Sequence, residues 1–175
     1  MILEELTVAR GEHGAPDISG ELLTEIAELY ASNQEFFALS GDFTDPYDIR
    51  IEQVAKALAD ELAYEGAQVL LARTRGELVG LAVTLDHHPA DPDDQDPWIG
   101  LLMIDRRRQR SGFGRRLAGL LEDRFRRAGR TGSRLAVLES NPKALSFWTS
   151  LGYTELRRAN DRELNRPSIV LRKPL

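Results

Sequence analysis

The segment WIGLLMIDRRRQRSGFGRRL, residues 98–117, runs from an apolar stretch through a glycine-containing loop into an amphipathic pattern. The apolar stretch ends at Asp105 and predicts a buried strand, and the pattern after the loop predicts a helix that begins near Gly112. Amides at the start of a helix point one way, and the helix dipole adds positive charge there. The segment therefore predicts an anion site. Its cradle would be the backbone of Arg110, Ser111, Gly112, Phe113, Gly114 and Arg115.

The arginines of this loop are compatible with a nucleic-acid patch, a solvated helix face or a cradle for a smaller phosphate. The chain has a net charge of -5 and a pI of about 5.3, which argues against a nucleic-acid partner. A G-K-[ST] sequence is absent, which excludes a Walker-type loop, and an incomplete G-x-G-x-x-G in mid-chain argues against a dinucleotide fold. The phosphate cradle and the solvated face both stay open from this stretch alone.

Apolar periodicity along the chain predicts one mixed α/β (α+β) domain over residues 1–175, with the order β-α-α-β-β-β-α-β-α-β-β. The first strand is expected at residues 6–10, and residues 33–48 are expected to form a connecting loop. Ser19 and Asn141 are expected helix N-caps, the latter followed by a proline. Arg75 and Gly76 are expected to form the turn of a hairpin.

The composition limits the setting of the protein. The chain has no cysteine, which excludes disulfides and thiol nucleophiles and fits a cytoplasmic location. Its first residues, MILEELTVARGEHG, lack a long apolar run, so neither a signal peptide nor a membrane span is expected there. We therefore expect neither a membrane nor a nucleic acid as partner.

Two motifs about thirty residues apart carry a family resemblance. QRSGFG, residues 109–114, fits the pattern Q/R-x-x-G-x-G/A. NPKALSFWTSLGY, residues 141–153, is similar to N-x-x-A-x-x-F-Y-x-x-L-G-F. Together they resemble the GNAT superfamily of acetyl-CoA-dependent N-acetyltransferases, and the expected order of elements extends the likeness to nearly the whole chain.

The resemblance implies a site for acetyl-CoA that needs no metal. The loop beginning at Gln109 would bind the pyrophosphate, and a bulged central strand that splays from its neighbour would bind the pantetheine arm. The amide of Leu102 would polarise the thioester carbonyl, as an oxyanion donor does. The remaining implied cofactor contacts are Met103, Ile104, Asn141, Phe147 and Trp148. The acceptor would be a primary amine of a small molecule or peptide, and the family is often dimeric, so a homodimer is one expected assembly.

Two catalytic features of the family have no counterpart in this sequence. Trp148 stands where the family often has a tyrosine acid, and an indole cannot supply that proton. The central strand carries no glutamate base, so Glu139 is the first candidate base, and Asp86 and His87 come next. These departures leave open a non-catalytic module that binds coenzyme A with the same fold.

Three further groups of side chains have both an ordinary and a functional interpretation. His87 and His88 on a strand point to opposite faces, which argues against a metal site. The acidic segment is expected to be a solvated, mobile loop that would favour a cationic amine if it bordered the acceptor. Its carboxylates are Asp91, Asp93, Asp94 and Asp96. An aromatic group either shapes the acceptor pocket or packs in the core. It comprises Phe36, Phe37, Phe43 and Tyr47.

Overall fold

The computed structural model of the chain describes residues 1–6, 9–10, 16–88, 93–161 and 164–175. The helices are α1 Gly20–Ala31, α2 Gln34–Ser40, α3 Ile51–Leu62, α4 Phe113–Arg127 and α5 Pro142–Ser150, with a 3₁₀ turn at Arg106–Arg108. The strands are β1 Ile2–Glu5, β2 Ala9–Arg10, β3 Pro16–Asp17, β4 Gln68–Thr74, β5 Glu77–Leu85, β6 Trp98–Ile104, β7 Gly132–Leu138, β8 Thr154–Asn160 and β9 Pro167–Pro174.

Seven of these strands form one mixed sheet in the order β1-β4-β5-β6-β7-β9-β8. Every neighbouring pair in it is antiparallel except β6 and β7, which are parallel. The mixed α/β class and the seven-strand count predicted from the sequence are confirmed. β2 and β3 form a separate two-stranded ribbon.

The structure confirms the two helix N-caps and the hairpin turn that residue types predicted. The Ser19 side chain accepts a hydrogen bond from the Leu22 amide, and Asn141 caps α5 by accepting one from Ala144. Arg75 and Gly76 both have positive φ, 54° and 85°, as a two-residue hairpin turn with right-handed strand twist requires.

Two predictions about the first third of the chain are wrong. The first strand of the main sheet is β1, which ends before Leu6, and the Leu6 amide donates to the Val69 carbonyl. Of the predicted strand at residues 6–10, residues 7–8 lie outside the described residues and residues 9–10 form β2 of the separate ribbon. The expected loop contains α2, which ends at Gly41 in the left-handed conformation. Its Phe37 stacks on Tyr30 with ring centres 5.3 Å apart, so burial of an aromatic face stabilises this short helix.

Packing of the aromatic group divides it between core and surface. Phe37 and Phe43 are buried and in edge contact, with ring centres 4.8 Å apart, whereas Tyr47 is 70% exposed. Phe37 and Phe43 belong to the core that joins α1–α3 to one face of the sheet. A second core joins α4 and α5 to the other face, so the two sheet faces are covered by different helices.

The acidic segment before β6 is the clearest correction to the sequence analysis. Asp94 and Asp96 are buried, not solvated. Arg134 of β7 forms ion pairs with both, at 3.0 Å and 2.9 Å, and Arg172 of β9 pairs with Asp96 at 2.7 Å. The Trp98 indole donates to Asp94 at 2.7 Å. Asp91 lies outside the described residues and Asp93 is exposed.

These contacts fasten the start of β6 to β7 and β9. Burial favours the neutral form of Asp96, but hydrogen bonds from Arg172 and Arg134 outweigh that effect and hold its pKa below the ordinary value. A lowered folded-state pKa stabilises the fold at pH values above the unfolded-state pKa, and this stabilisation is lost as the pH falls through the folded-state pKa.

We predict that Asp96→Asn lowers the free energy of unfolding at pH 7 by about 3 kcal/mol, because it leaves two arginines without their shared carboxylate. Urea unfolding at pH 7 and at pH 3 measures the effect. The difference from wild type should shrink as the pH falls below about 4, the ordinary carboxyl pKa of the unfolded chain, and should be lost once the pH passes below the lowered folded-state pKa of Asp96. Asp93→Asn, in the same segment but exposed, is the matched control and should change stability by less than about 0.5 kcal/mol. Equal loss in both variants would contradict the role given to Asp96.

Candidate active site

The parallel strands β6 and β7 are paired only at one end. Trp98 lies opposite Arg134 and Ile99 opposite Leu135, and no further pair joins these two strands. On the other side of β6 the register against β5 shifts, so that Gly100 is an extra, bulged residue. Gly100 and Ala136 are both exposed although they lie in central strands. The two strands therefore leave an open gap toward their carboxyl ends.

The hydrogen-bond pattern of β6 shows which backbone groups face this gap. The Asp105 amide donates to the Val79 carbonyl at 3.0 Å, and groups along a strand alternate between its two neighbours. In this register the amide and carbonyl of Leu102 and Ile104 therefore point away from β5 and toward β7. The Ile104 carbonyl is already engaged by two side-chain amides, from Asn33 at 3.2 Å and Gln109 at 3.1 Å. Neither backbone group of Leu102 has a strand partner on this side within the described ranges.

The loop after β6 is shaped by two residues of positive φ. Arg110 has a φ of 62° and Gly112, the N-cap of α4, a φ of 82°. The first backbone amide that bonds within the helix is that of Arg116, which donates to the Gly112 carbonyl at 3.0 Å. The six amides of residues 110–115 have no hydrogen-bond acceptor among the described residues. They are a run of donors at a helix N-terminus, as an anion site requires.

The arginine run divides into paired and unpaired members. Arg106 pairs with Glu35 at 2.8 Å, Arg107 with Asp105 at 2.7 Å and Arg108 with Glu77 at 2.6 Å. Hydrogen bonds from Arg106 lower the pKa of Glu35, and those from Arg107 lower the pKa of Asp105. Among the arginines of this run, residues 106–116, three are exposed and form no ion pair with any described residue. They are Arg110, Arg115 and Arg116.

Helix α5 closes the other side of the loop. A Cβ placed on Gly114 would lie 3.4 Å from the Phe147 ring, so glycine lets the two helices approach closely there. Arg115 lies 3.4 Å from the Ser150 hydroxyl. Asn141 uses its side-chain oxygen as the cap of α5, which leaves its Nδ2 without an acceptor among the described residues. The structure thus brings the second motif against the first.

Three predicted cofactor contacts have other neighbours. The Gln109 side chain points away from the loop and donates to Asn33 at 2.9 Å. Met103 is buried in the core beneath α1–α3, and in the register above its amide and carbonyl face β5, so neither its side chain nor its backbone polar groups face the gap. Trp148 is also buried, with ring centres 5.0 Å from Phe147 and 5.1 Å from Tyr153. Trp148 is therefore a core residue, and its indole packs edge-on against the Phe147 ring.

The two candidate bases lie at opposite ends of the sheet. Glu139 follows β7 at the open end of the gap, is exposed, and pairs with Arg158 at 3.1 Å. Asp86 follows β5, whose last residue Leu85 lies opposite Trp98, at the closed end. Leu102 is four residues farther along β6, about 13 Å at the usual strand rise. The geometry favours Glu139 and gives no support to Asp86 as a base.

Metal binding finds no support in the described residues, where no group of three or more His, Asp or Glu side chains is placed to hold an ion. His88 lies against the Trp98 ring, with ring centres 4.7 Å apart. No helix within the described ranges is long and apolar enough to cross a membrane.

Comparisons with known proteins agree with this geometry. The model of the acetyltransferase (GNAT) family matches residues 25–153. No curated protein matches the chain significantly. Among solved structures, an acetyltransferase from Thermus thermophilus superposes with a TM-score of 0.69 at 21% identity, covering 100% of this chain and 98% of that one.

Two other similar structures have more specific descriptions. A spermidine N-acetyltransferase chimera from Vibrio cholerae and hSSAT gives a TM-score of 0.65 at 16% identity, with 99% and 96% of the two chains covered. A GNAT family acetyltransferase from Elizabethkingia anophelis with acetyl-CoA bound gives 0.57 at 15% identity, with 69% and 82% covered. At these identities the structures show a shared fold, and the family match covers most of the sequence. The chain belongs to the GNAT acetyltransferase family.

Proposed function

We propose that the protein transfers the acetyl group of acetyl-CoA to a primary amine of a small molecule or peptide, by direct attack of the amine on the thioester. One observation carries this proposal: the amides of residues 110–115, which have no acceptor among the described residues, follow the end of β6 at which β6 and β7 are no longer paired. An anion held by those amides would lie beside a slot lined by unpaired strand backbone. A pyrophosphate joined to an amide-containing arm has that combination of groups.

The residues of the site fit such a ligand from one end to the other. The loop amides would hold the pyrophosphate, and the exposed Arg110, Arg115 and Arg116 would add positive charge around it. The carbonyl of Leu102 would accept from the pantetheine arm in the place of β7, which leaves the Leu102 amide for the thioester. The Ile104 amide also faces the gap, but its carbonyl is occupied, so Leu102 is the main strand contact.

Acetyl-CoA would supply an activated acyl group, and the protein would supply position and polarity. The Leu102 amide is held by β6, so donating to the thioester carbonyl oxygen would need little reorganisation. Holding the amine against the thioester would contribute a large part of the rate enhancement. Trp148 cannot protonate the leaving thiolate, but a thiol pKa of about 8.5 makes that group a tolerable leaving group without an acid.

Glu139 is the proposed base, acting through water on the acceptor ammonium. It lies at the open end of the gap, and its partner Arg158 also pairs with Glu155 at 3.0 Å. The acceptor would enter beside α2, whose last turn is held by Arg166 through the Ser40 carbonyl and the Asp42 carboxylate. The named spermidine acetyltransferase among the similar structures supports a small amine as acceptor, whereas an open cleft also suits a peptide.

A non-catalytic coenzyme A-binding module is the second candidate, because Trp148 is a core residue and β6 carries no glutamate. Release of free thiol from acetyl-CoA, measured with a panel of polyamines, amino sugars and peptides, separates the two. Turnover with any amine supports transfer. A rise in melting temperature with acetyl-CoA but no thiol release across the panel would support the binding module. Cytoplasmic location and a homodimer stay predictions from the sequence.

We predict that Ser111→Glu raises the Kd of coenzyme A at least about tenfold, because it places a carboxylate beside the amides that hold the pyrophosphate. Ser111 is exposed and does not have a positive φ, so the fold should tolerate the change. Isothermal titration measures Kd. Ser111→Gln, of nearly the same size and neutral, should stay within about threefold of wild type. Equal weakening in both variants would indicate a steric effect and remove the electrostatic role.

We predict that Glu139→Gln lowers kcat by about tenfold to a hundredfold while the Kd of coenzyme A stays unchanged, because proton removal from the amine loses its base. Thiol release with a responsive amine measures kcat. Glu155→Gln is the control, since Glu155 shares Arg158 with Glu139 but lies on β8. If both variants lose activity alike, the ion-pair network and not a base at Glu139 explains the loss.

A further inference from the structure

Asn33, between α1 and α2, joins three parts of the molecule by its side-chain amide. It is buried, with 7% of its surface exposed. Its Nδ2 donates to the Leu29 carbonyl at 2.9 Å and to the Ile104 carbonyl at 3.2 Å. Its Oδ1 accepts from the Gln109 side chain at 2.9 Å, and Gln109 also donates to Ile104 at 3.1 Å. The end of α1, the end of β6 and the start of the anion loop therefore meet at one amide pair.

The Ile104 carbonyl is the centre of this arrangement. It is the last carbonyl of β6 and faces the gap, where β7 no longer supplies a partner. Two side-chain amides satisfy it, and a buried polar group left unpaired would be costly. Their positions fix where the chain leaves β6 and how Gln109, itself extended, leads into Arg110 at positive φ.

The same junction holds the loop at a second point. The Arg106 amide donates to the Ser32 hydroxyl at 3.2 Å, and the Arg106 guanidinium makes two hydrogen bonds to Glu35, at 2.8 Å and 2.9 Å. Ser32, Asn33 and Glu35 belong to the connection that precedes α2 or to its first turn. Residues 32–35 thus hydrogen-bond to residues 104–109, which immediately precede the six amides without an acceptor.

We propose that Asn33 is a positioning residue for the cofactor: it holds Gln109 and the Ile104 carbonyl so that the amides of residues 110–115 face one anion. Asn33 itself does not touch the ligand. The proposal rests on the proposed function in that coenzyme A is the ligand of this loop. The sequence predicted that Gln109 contacts the cofactor directly. In this proposal Gln109 is instead a positioning residue, since its side-chain amide donates to Asn33 and to the Ile104 carbonyl.

Isothermal titration of coenzyme A into the full chain tests this with a double-mutant cycle. Asn33→Ala and Gln109→Ala should each raise Kd about tenfold. The double variant should be no weaker than about twentyfold, because both changes break the same contact, whereas independent effects would multiply to about a hundredfold. Asn33→Asp keeps the size and the acceptor for Gln109 but loses the donor to Ile104, and should weaken binding as Asn33→Ala does.

Ser133→Ala is the matched control. It removes another buried hydrogen bond, the one Ser133 accepts from the Tyr153 hydroxyl at 3.2 Å, on β7 and away from the loop. It should lower the melting temperature much as Asn33→Ala does but leave Kd within about twofold. Where Asn33→Ala does not fold, Gln109→Ala and Asn33→Asp carry the test.

Three results would overturn the positioning role alone: wild-type Kd in the Asn33 variants, a hundredfold effect in the double variant, or equal weakening by Ser133→Ala. A wild-type chain that binds no coenzyme A would instead overturn the proposed function together with this role. The two failures are therefore distinguishable in one set of titrations.

Discussion

The separation of β6 from β7 is the constraint on which the rest of the site depends. A continuous parallel pair would use the amide and carbonyl of Leu102 in the sheet and leave no slot. The strands separate after two pairs because their beginnings are fastened and their ends are not. Asp94 and Asp96 hold the beginning through Arg134 and Arg172. The bulge at Gly100 adds local twist to β6 just beyond that anchor.

Unpaired strand backbone is tolerated here because water reaches it. Exposed Gly100 and Ala136 show that the gap is open in the middle of the sheet. A ligand that displaces this water must replace its hydrogen bonds, or the strand groups are left unsatisfied. That requirement favours an arm that carries amides of its own over a purely phosphate ligand. The slot therefore selects for more than the negative charge that the helix N-terminus attracts.

The sequence predicted what short-range rules control and missed what distant partners control. Strand, loop and helix around residues 98–117 follow from apolar spacing and glycine, and the caps at Ser19 and Asn141 follow from residue type. Which arginines form ion pairs does not follow from the local sequence, because Glu35 and Arg106 are 71 residues apart. The acidic segment appeared solvated since its partner Arg172 lies 76 residues beyond Asp96. Such pairs exist only once the sheet has brought the strands together.

The same limits explain the remaining differences in the site. α2 has seven residues and little periodicity to detect, and it is stabilised by aromatic packing that only the folded chain provides. Gln109 occupies its motif position, but motif spacing carries no information on where a side chain points. Its partner Asn33 has no motif of its own. The available signal was an asparagine directly after the amphipathic pattern of α1, and it points to a tertiary contact as readily as to a cap.

Charge in an acidic protein has to be arranged locally to hold an anion. The carboxylates beside Arg106, Arg107 and Arg108 neutralise the first half of the run, so the net field comes from the exposed arginines after it. Charges exposed to water are screened over about 10 Å at ordinary salt concentrations, whereas amides in direct contact are not. On the proposed function, the amides would therefore set where the anion binds and how tightly. The exposed arginines would chiefly speed its approach, as electrostatic steering does.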